Sequence, residues 1–307
     1  MLPPFLNPGD LIAICAPARK VSREDIGSAI VMLKSWGFRV KESPHLYGAF
    51  HQFSGTDDER ASDFQWAMDD PDVKAIISAR GGYGFVRLID RLDFTSFRKY
   101  PKWMVGFSDL TVLNSHLITQ FGIASIHAPM MYNLTGDRLN TEAADCLKKV
   151  LTGEPIRYHI SGDPSLLPLY RKGNAKGVLV GGNLSILYSI AGSLSDLDTH
   201  DKILFLEDLD EYLYHIDRMM QQLKRNGKLS GLAGMIVGGM NDMRDNTIPY
   251  GFSAERIIAD AVEEYDFPLC FGFPAGHISR NLPLILGGEV ALEVTDSIHL
   301  GFEYGGT

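Results

Sequence analysis

The chain has 307 residues, 45% of them hydrophobic and 22% charged, which fits a globular protein of two domains or one large one and excludes a disordered or fibrous chain. The formal net charge is −9. A field of that sign repels phosphate backbones and anionic lipid, so neither nucleic acid nor a membrane surface is an expected partner.

The first 130 or so residues alternate strand-like and helix-like patterns. Leu11–Ala16 is a short apolar run that predicts a buried strand. Ser22, followed by Asp25, opens a helix expected to run to about Trp36 and to end at Gly37. Phe38–Val40 restarts an extended segment. Thr56, with acids at Asp57, Asp58 and Glu59, opens a second helix to about Met68. Val73–Ala79, Trp103–Phe107 and Ile123–Ile126 read as further buried strands, each followed by a turn and a helical stretch. That rhythm predicts a mostly parallel sheet flanked by helices.

Residues 133–172 break the pattern. They are rich in Gly, Pro and polar side chains and read as a crossover with one helix, about Thr141–Leu151, and a linker. From Gly177 a second α/β or α+β unit with its own sheet is expected. Its strands are VLVGG, Lys202–Leu206 and Gly234–Gly239; its helices are Asn183–Ala191, Asp210–Arg225 and Ser253–Glu264. In Asp210–Arg225, Leu213, Ile216, Met220 and Leu223 share one face. The tail LPLILGGEVALEVTD predicts two strands joined as a hairpin at Gly287-Gly288. The expected organisation is therefore an N-terminal domain over 1–132, a linker over 133–172 and a C-terminal domain over 173–307.

Cys15, Cys146 and Cys270 are odd in number and far apart, which argues against a disulfide framework or a structural zinc site and for a reducing compartment. The start, MLPPFLNPGD, lacks the basic and long apolar regions of a signal peptide. No apolar run approaches the ~20 residues that span a bilayer. A cytoplasmic location is the expectation.

Four segments could carry chemistry. In Val105–Leu110 a strand ends in Gly-x-Ser before a helix, which presents Ser108 at the carboxyl edge of the sheet, where open α/β folds bind ligands. The same serine would also serve as an ordinary helix N-cap. Arg80-Gly81-Gly82-Tyr83-Gly84 follows a buried strand; its amides could cradle an anion, or the glycines could simply make a tight turn. Glu207 ends an apolar strand. It reads as a solvated strand end, as an acid that orients a histidine, or, with Asp208 and Asp210, as oxygen ligands for a hard cation. Asp210 and Glu211 also suit a helix start. His277 closes the Gly/Pro-rich stretch GFPAGH and could titrate near neutrality as a base, or stand as one surface histidine among nine. Ser, Glu and His thus follow one another in the chain order of α/β-hydrolases, although G-x-S-x-L replaces the hydrolase elbow G-x-S-x-G.

Six collinear stretches, GDLIAICAPA, ARGGYG, VGFSDLT, GVLVGGNLS, LFLEDLDEYLYHIDRMMQQL and GFPAGH, resemble the serine-type LD-carboxypeptidases. These are the muramoyltetrapeptide carboxypeptidases, in a family that also holds the microcin C self-immunity peptidases. The resemblance covers nearly the whole chain. It implies two α/β domains with the active site between them, no cofactor and no metal, and homodimers occur in the family. It further implies a triad of Ser108 as nucleophile, His277 as base and Glu207 as orienting acid. The backbone N–H groups of Gly82 and Asp109 match an oxyanion hole, with Gly81 a near alternative. A carboxypeptidase must also hold the terminal carboxylate of its substrate. By charge and position Arg80, Gly81 and the amides of Gly181, Gly182 and Asn183 are the candidates. The expected activity is removal of the terminal D-alanine from a muropeptide tetrapeptide. The alternatives are a microcin-immunity-like peptidase acting on peptidyl- or aminoacyl-nucleotides, a divalent-metal enzyme, and a non-catalytic two-domain ligand-binding protein.

Overall fold

The computed structural model describes residues 1–303. Its first half winds a parallel sheet. Strand β1 (Leu11–Cys15) is followed by α1 (Arg23–Ser35), β2 (Arg39–Glu42), α2 (Asp57–Asp69) and β3 (Val73–Ser78). A short helix α3 (Thr95–Lys99) leads to β4 (Trp103–Val105), α4 (Thr111–Phe121) and β5 (Ser125–His127). The two predicted starts are reciprocal capping boxes, Ser22 with Asp25 and Thr56 with Glu59. Strand β1 is covered on both faces: Ile12 and Ile14 enter one core layer, Leu11, Ala13 and Cys15 the other. That explains a continuous apolar run in place of an alternating one.

Helix α5 (Thr141–Thr152) leads out of this unit. The second unit contains β6 (Arg157–Ser161), β7 (Gly173–Asn183), α6 (Leu184–Ile190), β8 (Lys202–Leu209), α7 (Leu213–Arg225), β9 (Gly234–Asn241), α8 (Ala254–Ala261) and β10 (Leu269–Cys270). Three strands close the fold: β11 (Leu284–Leu286), β12 (Glu289–Val294) and β13 (Ser297–Phe302). The first sheet has the order β11-β5-β4-β3-β1-β2 and the second β10-β9-β8-β7-β12-β13-β6. In the second sheet β7 to β10 run parallel, and β12, β13 and β6 form an antiparallel flank.

Three expectations need correction. The segment around Gly287-Gly288 is not a hairpin. Strand β11 pairs antiparallel with β5 in the first sheet, whereas β12 pairs with β7 and β13 in the second. The true hairpin is β12–β13, turned at Thr295-Asp296. The stretch expected as linker contains β6, whose Tyr158 and Ile160 are buried while Arg157, His159 and Ser161 are exposed. Helix α7 starts at Leu213, so Asp210 and Glu211 precede it; Asp210 sits at φ 61° and pairs with Arg244 at 2.5 Å.

The crossover of β11 ties the two units together. Each core layer holds residues of both sheets, for example Trp103 and Phe205 in one, Phe107 and Leu206 in the other. The carboxyl ends of β4 and β8 therefore face one junction, where open α/β sheets place their ligands.

Candidate active site

Ser108 follows β4 in a single turn, Ser108–Leu110, that precedes α4. Its φ is 62°, the left-handed region that side-chain-bearing residues rarely occupy. The hydroxyl does not cap α4, which has no side-chain cap. It lies 3.0 Å from His277 Nε2 instead. Backbone strain at a chemical group is the signature of a position held by its surroundings.

Glu207 is carried by β8. Ile203 and Phe205 alternate with Leu204 and Leu206 between the two core layers. The pairing of β8 with β9 slips between Leu206 and Asp208: Leu206 faces Val237, but Asp208 faces Met240. A bulge re-aims the side chain beside it. The extra residue lies in the Gly238-Gly239 pair. A Cβ on Gly238 would meet Ala275 O at 2.4 Å, and one on Gly239 would meet Ile278 Cγ2 at 2.7 Å. These two glycines let the GFPAGH loop lie against β9, where Gly239 N–H donates to Ala275 O.

His277 is locked in that loop. Its Nδ1 stands 2.7 Å and its backbone N 3.2 Å from Glu207 Oε2. Its carbonyl accepts from Asn241 Nδ2 at 2.9 Å, and the Phe107 ring lies 4.8 Å from the imidazole. A carboxylate has no hydrogen to give, so Nδ1 bears the proton and the Nε2 lone pair faces Ser108. The structure thus joins Ser108, His277 and Glu207 in one hydrogen-bonded chain.

The electrostatics are those of a buried pair. Glu207 is 0% exposed. Burial alone would raise its pKa, but the charge and hydrogen bond of His277 hold it below the usual carboxylate value. Burial alone would lower the pKa of His277; the Glu207 charge and hydrogen bond, with Asp208, outweigh it and raise it above the ordinary value. Asp208 is pushed up to about 7 by burial and by the Glu207 charge.

Gly276 fixes the approach. Its φ is +109°, and a Cβ there would sit 2.7 Å from Glu207 Oε2. Gly276→Ala is expected to cut kcat by about 10²-fold, the cost of a displacement near 1 Å. Steady-state kinetics, with circular dichroism to check the fold, measures it. A kcat equal to wild type would refute this role.

Gly81 packs on Ser108: a Cβ would lie 3.3 Å from Ser108 Oγ. Gly82 stands beside it at φ +117°, and among the described residues none accepts from its N–H. Asp109 is buried, 1% exposed, in the turn after Ser108. Arg80 lies 4.1 Å over the Tyr132 ring, with no carboxylate partner among the described residues.

The amide of Asn183, one of the expected substrate-binding groups, is committed inside the protein. The Asn183 N–H donates to Thr111 Oγ1, and its side chain donates to Asp208 and caps α6. A Cβ on Gly182 would meet Thr111 Oγ1 at 2.7 Å, so Gly182 serves close packing of β7 against α4. The three acids of the cation reading likewise have partners within the protein. Glu207 binds His277, Asp208 binds Asn183 and the Ser185 N–H, and Asp210 binds Arg244. Among the described residues no group of three or more His, Cys, Asp or Glu could hold a metal ion.

Sequence reasoning missed His127, Thr111, Arg19 and the Gly238-Gly239 pair. His127 ends β5, is fully buried between Phe107 and Phe205, and is pushed down to about 4 by burial, so it stays neutral. Its position at a strand end was the one available signal. Arg19 was invisible; its side chain lies over Gly82, where a Cβ would meet Arg19 Cδ at 2.6 Å.

A cavity of about 400 Å³ opens in front of His277, lined also by Phe107, Asn133, Arg138, Leu209 and Asn281. A hydroxyl, an imidazole and a carboxylate joined by hydrogen bonds, with the imidazole lining such a cavity, are the parts of a serine-type hydrolase. Models of the LD-carboxypeptidase N-terminal and C-terminal domains match residues 12–128 and 176–292. The chain belongs to the LD-carboxypeptidase family and is a serine-type carboxypeptidase. It is 33% identical over 297 residues to a Bacillus subtilis protein named "probable murein peptide carboxypeptidase", across 96% of this chain and 92% of that one. The solved muramoyltetrapeptide carboxypeptidase of Oxalobacter formigenes superposes with a TM-score of 0.85 at 29% identity, covering 97% of this chain and all of that one. An MccF-like protein of Bacillus anthracis superposes at 0.84 with 25% identity, covering 99% of this chain and 100% of that one.

Proposed function

We propose that this protein removes the terminal D-alanine from muropeptide tetrapeptides, at an L-to-D bond, in the cytoplasm. The observation that carries the chemistry is the continuous contact of Ser108, His277 and Glu207. The substrate class is supported by the names of its relatives in Bacillus subtilis and Oxalobacter formigenes. The location is supported by three cysteines that are all free thiols and by the absence, among the described residues, of any helix long and apolar enough to cross a membrane.

In this reading His277 Nε2 takes the Ser108 proton as Oγ attacks the scissile carbonyl carbon. The oxyanion is received by the N–H groups of Gly82 and Asp109, each donor worth about 2.7–4 kcal/mol of barrier. The imidazolium, stabilised by Glu207, then gives its proton to the amine nitrogen, and the C–N bond breaks to release D-alanine. Water enters, loses a proton to Nε2 and attacks the acyl-enzyme, which returns Ser108 and frees the tripeptide. Arg80 is the group we assign to the terminal carboxylate, because its charge has no acidic partner among the described residues.

The test is incubation of the purified protein with muramoyl tetrapeptide and mass spectrometry of the product. Loss of one alanine is expected. With Arg80→Ala, KM is expected to rise by about 10-fold or more, the worth of a charge-assisted hydrogen bond. No action on tetrapeptide, with cleavage of an aminoacyl-nucleotide amide instead, would overturn the substrate assignment in favour of the microcin-immunity reading.

A further inference from the structure

Two buried charges outside the triad converge on the glycine loop. Asp109 is 1% exposed, and its Oδ2 accepts from the Phe85 N–H at 2.7 Å. Arg60, carried by α2 and 2% exposed, donates through Nη1 to Gly84 O at 3.3 Å and to Pro17 O, and through Nε to Gly55 O at 3.2 Å. Asp57 pairs with the same guanidinium, and the Phe53 ring lies 4.6 Å beneath it. Gly84 has no room for more: its φ is +152°, and a Cβ would stand 2.5 Å from Arg60 Nη1. Phe85, at the end of the loop, is fully buried against Phe64 at 5.1 Å. A buried carboxylate and a buried guanidinium each cost several kcal/mol in desolvation unless hydrogen-bonded. A plain tight turn would need neither.

The placement gives these charges a task. Asp109 is the residue after Ser108, so its carboxylate links the nucleophile turn to the loop that holds Gly82. The two oxyanion donors, Gly82 N–H and Asp109 N–H, lie on separate loops, so contacts between those loops set their spacing. We infer that the Asp109 side chain, backed by Arg60, is a positioning element that holds the Gly82 N–H in register with the Asp109 N–H and Ser108. This rests on the reading of those two amides as the oxyanion hole. It adds that Asp109 acts twice, through its backbone on the substrate and through its carboxylate on the opposite loop. An oxyanion donor works only when fixed before charge develops, and a misplacement near 1 Å can cost about 10²-fold.

The experiment compares wild type with Asp109→Asn, which keeps the volume but loses one acceptor, and with Arg60→Lys, which leaves the carboxylate intact and loosens the loop from its other side. Three quantities are read: kcat and KM on tetrapeptide, the affinity of a peptide boronate that forms a tetrahedral adduct on Ser108, and amide exchange of the segment 82–85. For Asp109→Asn, kcat is expected to fall by about 10²-fold with KM within about twofold. Boronate affinity should fall in parallel while binding of the tripeptide product is unchanged. Exchange at Phe85 should quicken by about fivefold, since the Asn oxygen can still accept from the Phe85 N–H but without the charge that strengthens the bond. Arg60→Lys should give the same signature at smaller size. Loss of thermal stability or faster exchange with unchanged kcat and boronate affinity would overturn the inference, since it would leave the clamp merely structural. Unchanged exchange would overturn it as well. A wild type that fails to cleave tetrapeptide would count against the carboxypeptidase reading, and boronate affinity together with exchange would still judge the clamp.

Discussion

Ser108→Ala is expected to lower kcat on tetrapeptide by a factor on the order of 10⁶, with substrate affinity nearly unchanged. Among the described residues, this hydroxyl is the group that faces the His277 lone pair, at 3.0 Å. Removing it leaves the cavity and the proposed oxyanion donors in place, so binding survives and covalent chemistry does not. A second arm uses the backbone. Ser108 holds φ at 62°, a conformation that costs a side-chain-bearing residue about 1 kcal/mol or more and glycine nearly nothing. Ser108→Gly is therefore expected to be as inactive as Ser108→Ala and yet more stable, by about 1 kcal/mol. Mass spectrometry of product and thermal unfolding of the three proteins measure both effects. Residual turnover within tenfold of wild type in either variant would remove Ser108 as nucleophile. Equal stability of the alanine and glycine variants would remove the strain argument while leaving the chemistry.

Much of this site is legible in the primary structure, and the reason is local. Ser108 and Glu207 each end an apolar run of strand length, and His277 closes a loop whose glycines and proline mark an enforced shape. A polar residue at the carboxyl end of a parallel strand is presented to the ligand edge whatever the strand's neighbours. Sheet membership is not local in this sense. LIL at Leu284–Leu286 is too short to name its partner, and the adjacent glycines read as a hairpin turn. The chain uses Gly287 at φ +85° to pass from one sheet to the other, where a Cβ would meet Ala124 Cα at 3.0 Å. RYHIS does carry a period of two, with Tyr158 and Ile160 inward, but it lies between Gly/Pro-rich stretches that read as linker. The Gly238-Gly239 pair sits inside a predicted strand, and only the slipped pairing of β8 and β9 reveals that it admits the His277 loop. Buried partners such as His127 and Thr111 depend on packing between the two sheets, which no single segment encodes.

Glu207→Gln isolates the electrostatic part of the relay. The glutamine carbonyl can still accept from His277 Nδ1, so much of the geometry survives, but the negative charge is gone. The imidazolium formed during attack then lies in a buried site with no compensating charge. A fall in kcat on the order of 10²–10⁴-fold is expected. The pH dependence gives the sharper discrimination. Only neutral His277 can take the Ser108 proton, so kcat/KM should rise with pH through the histidine's titration. In wild type the Glu207 charge and hydrogen bond outweigh burial and hold that pKa above the ordinary 6.5. The acid limb should therefore have its midpoint above 6.5. In Glu207→Gln burial remains and the opposing charge does not, so the midpoint should move to lower pH, even as the plateau falls. Three other groups could contribute to the profile, among them Asp109, whose carboxyl is pushed up to about 6 by burial and should stay fixed between wild type and Glu207→Gln. His127 is pushed down to about 4 by burial and stays neutral across the range. Asp208, raised to about 7 by burial and by Glu207, titrates in the same window but is the weakest of the influences on His277. Asp208→Asn should accordingly shift the limb less than Glu207→Gln does. An acid limb that stays fixed in Glu207→Gln would mean that some other group titrates, and it would remove Glu207 from the proton relay even if kcat fell.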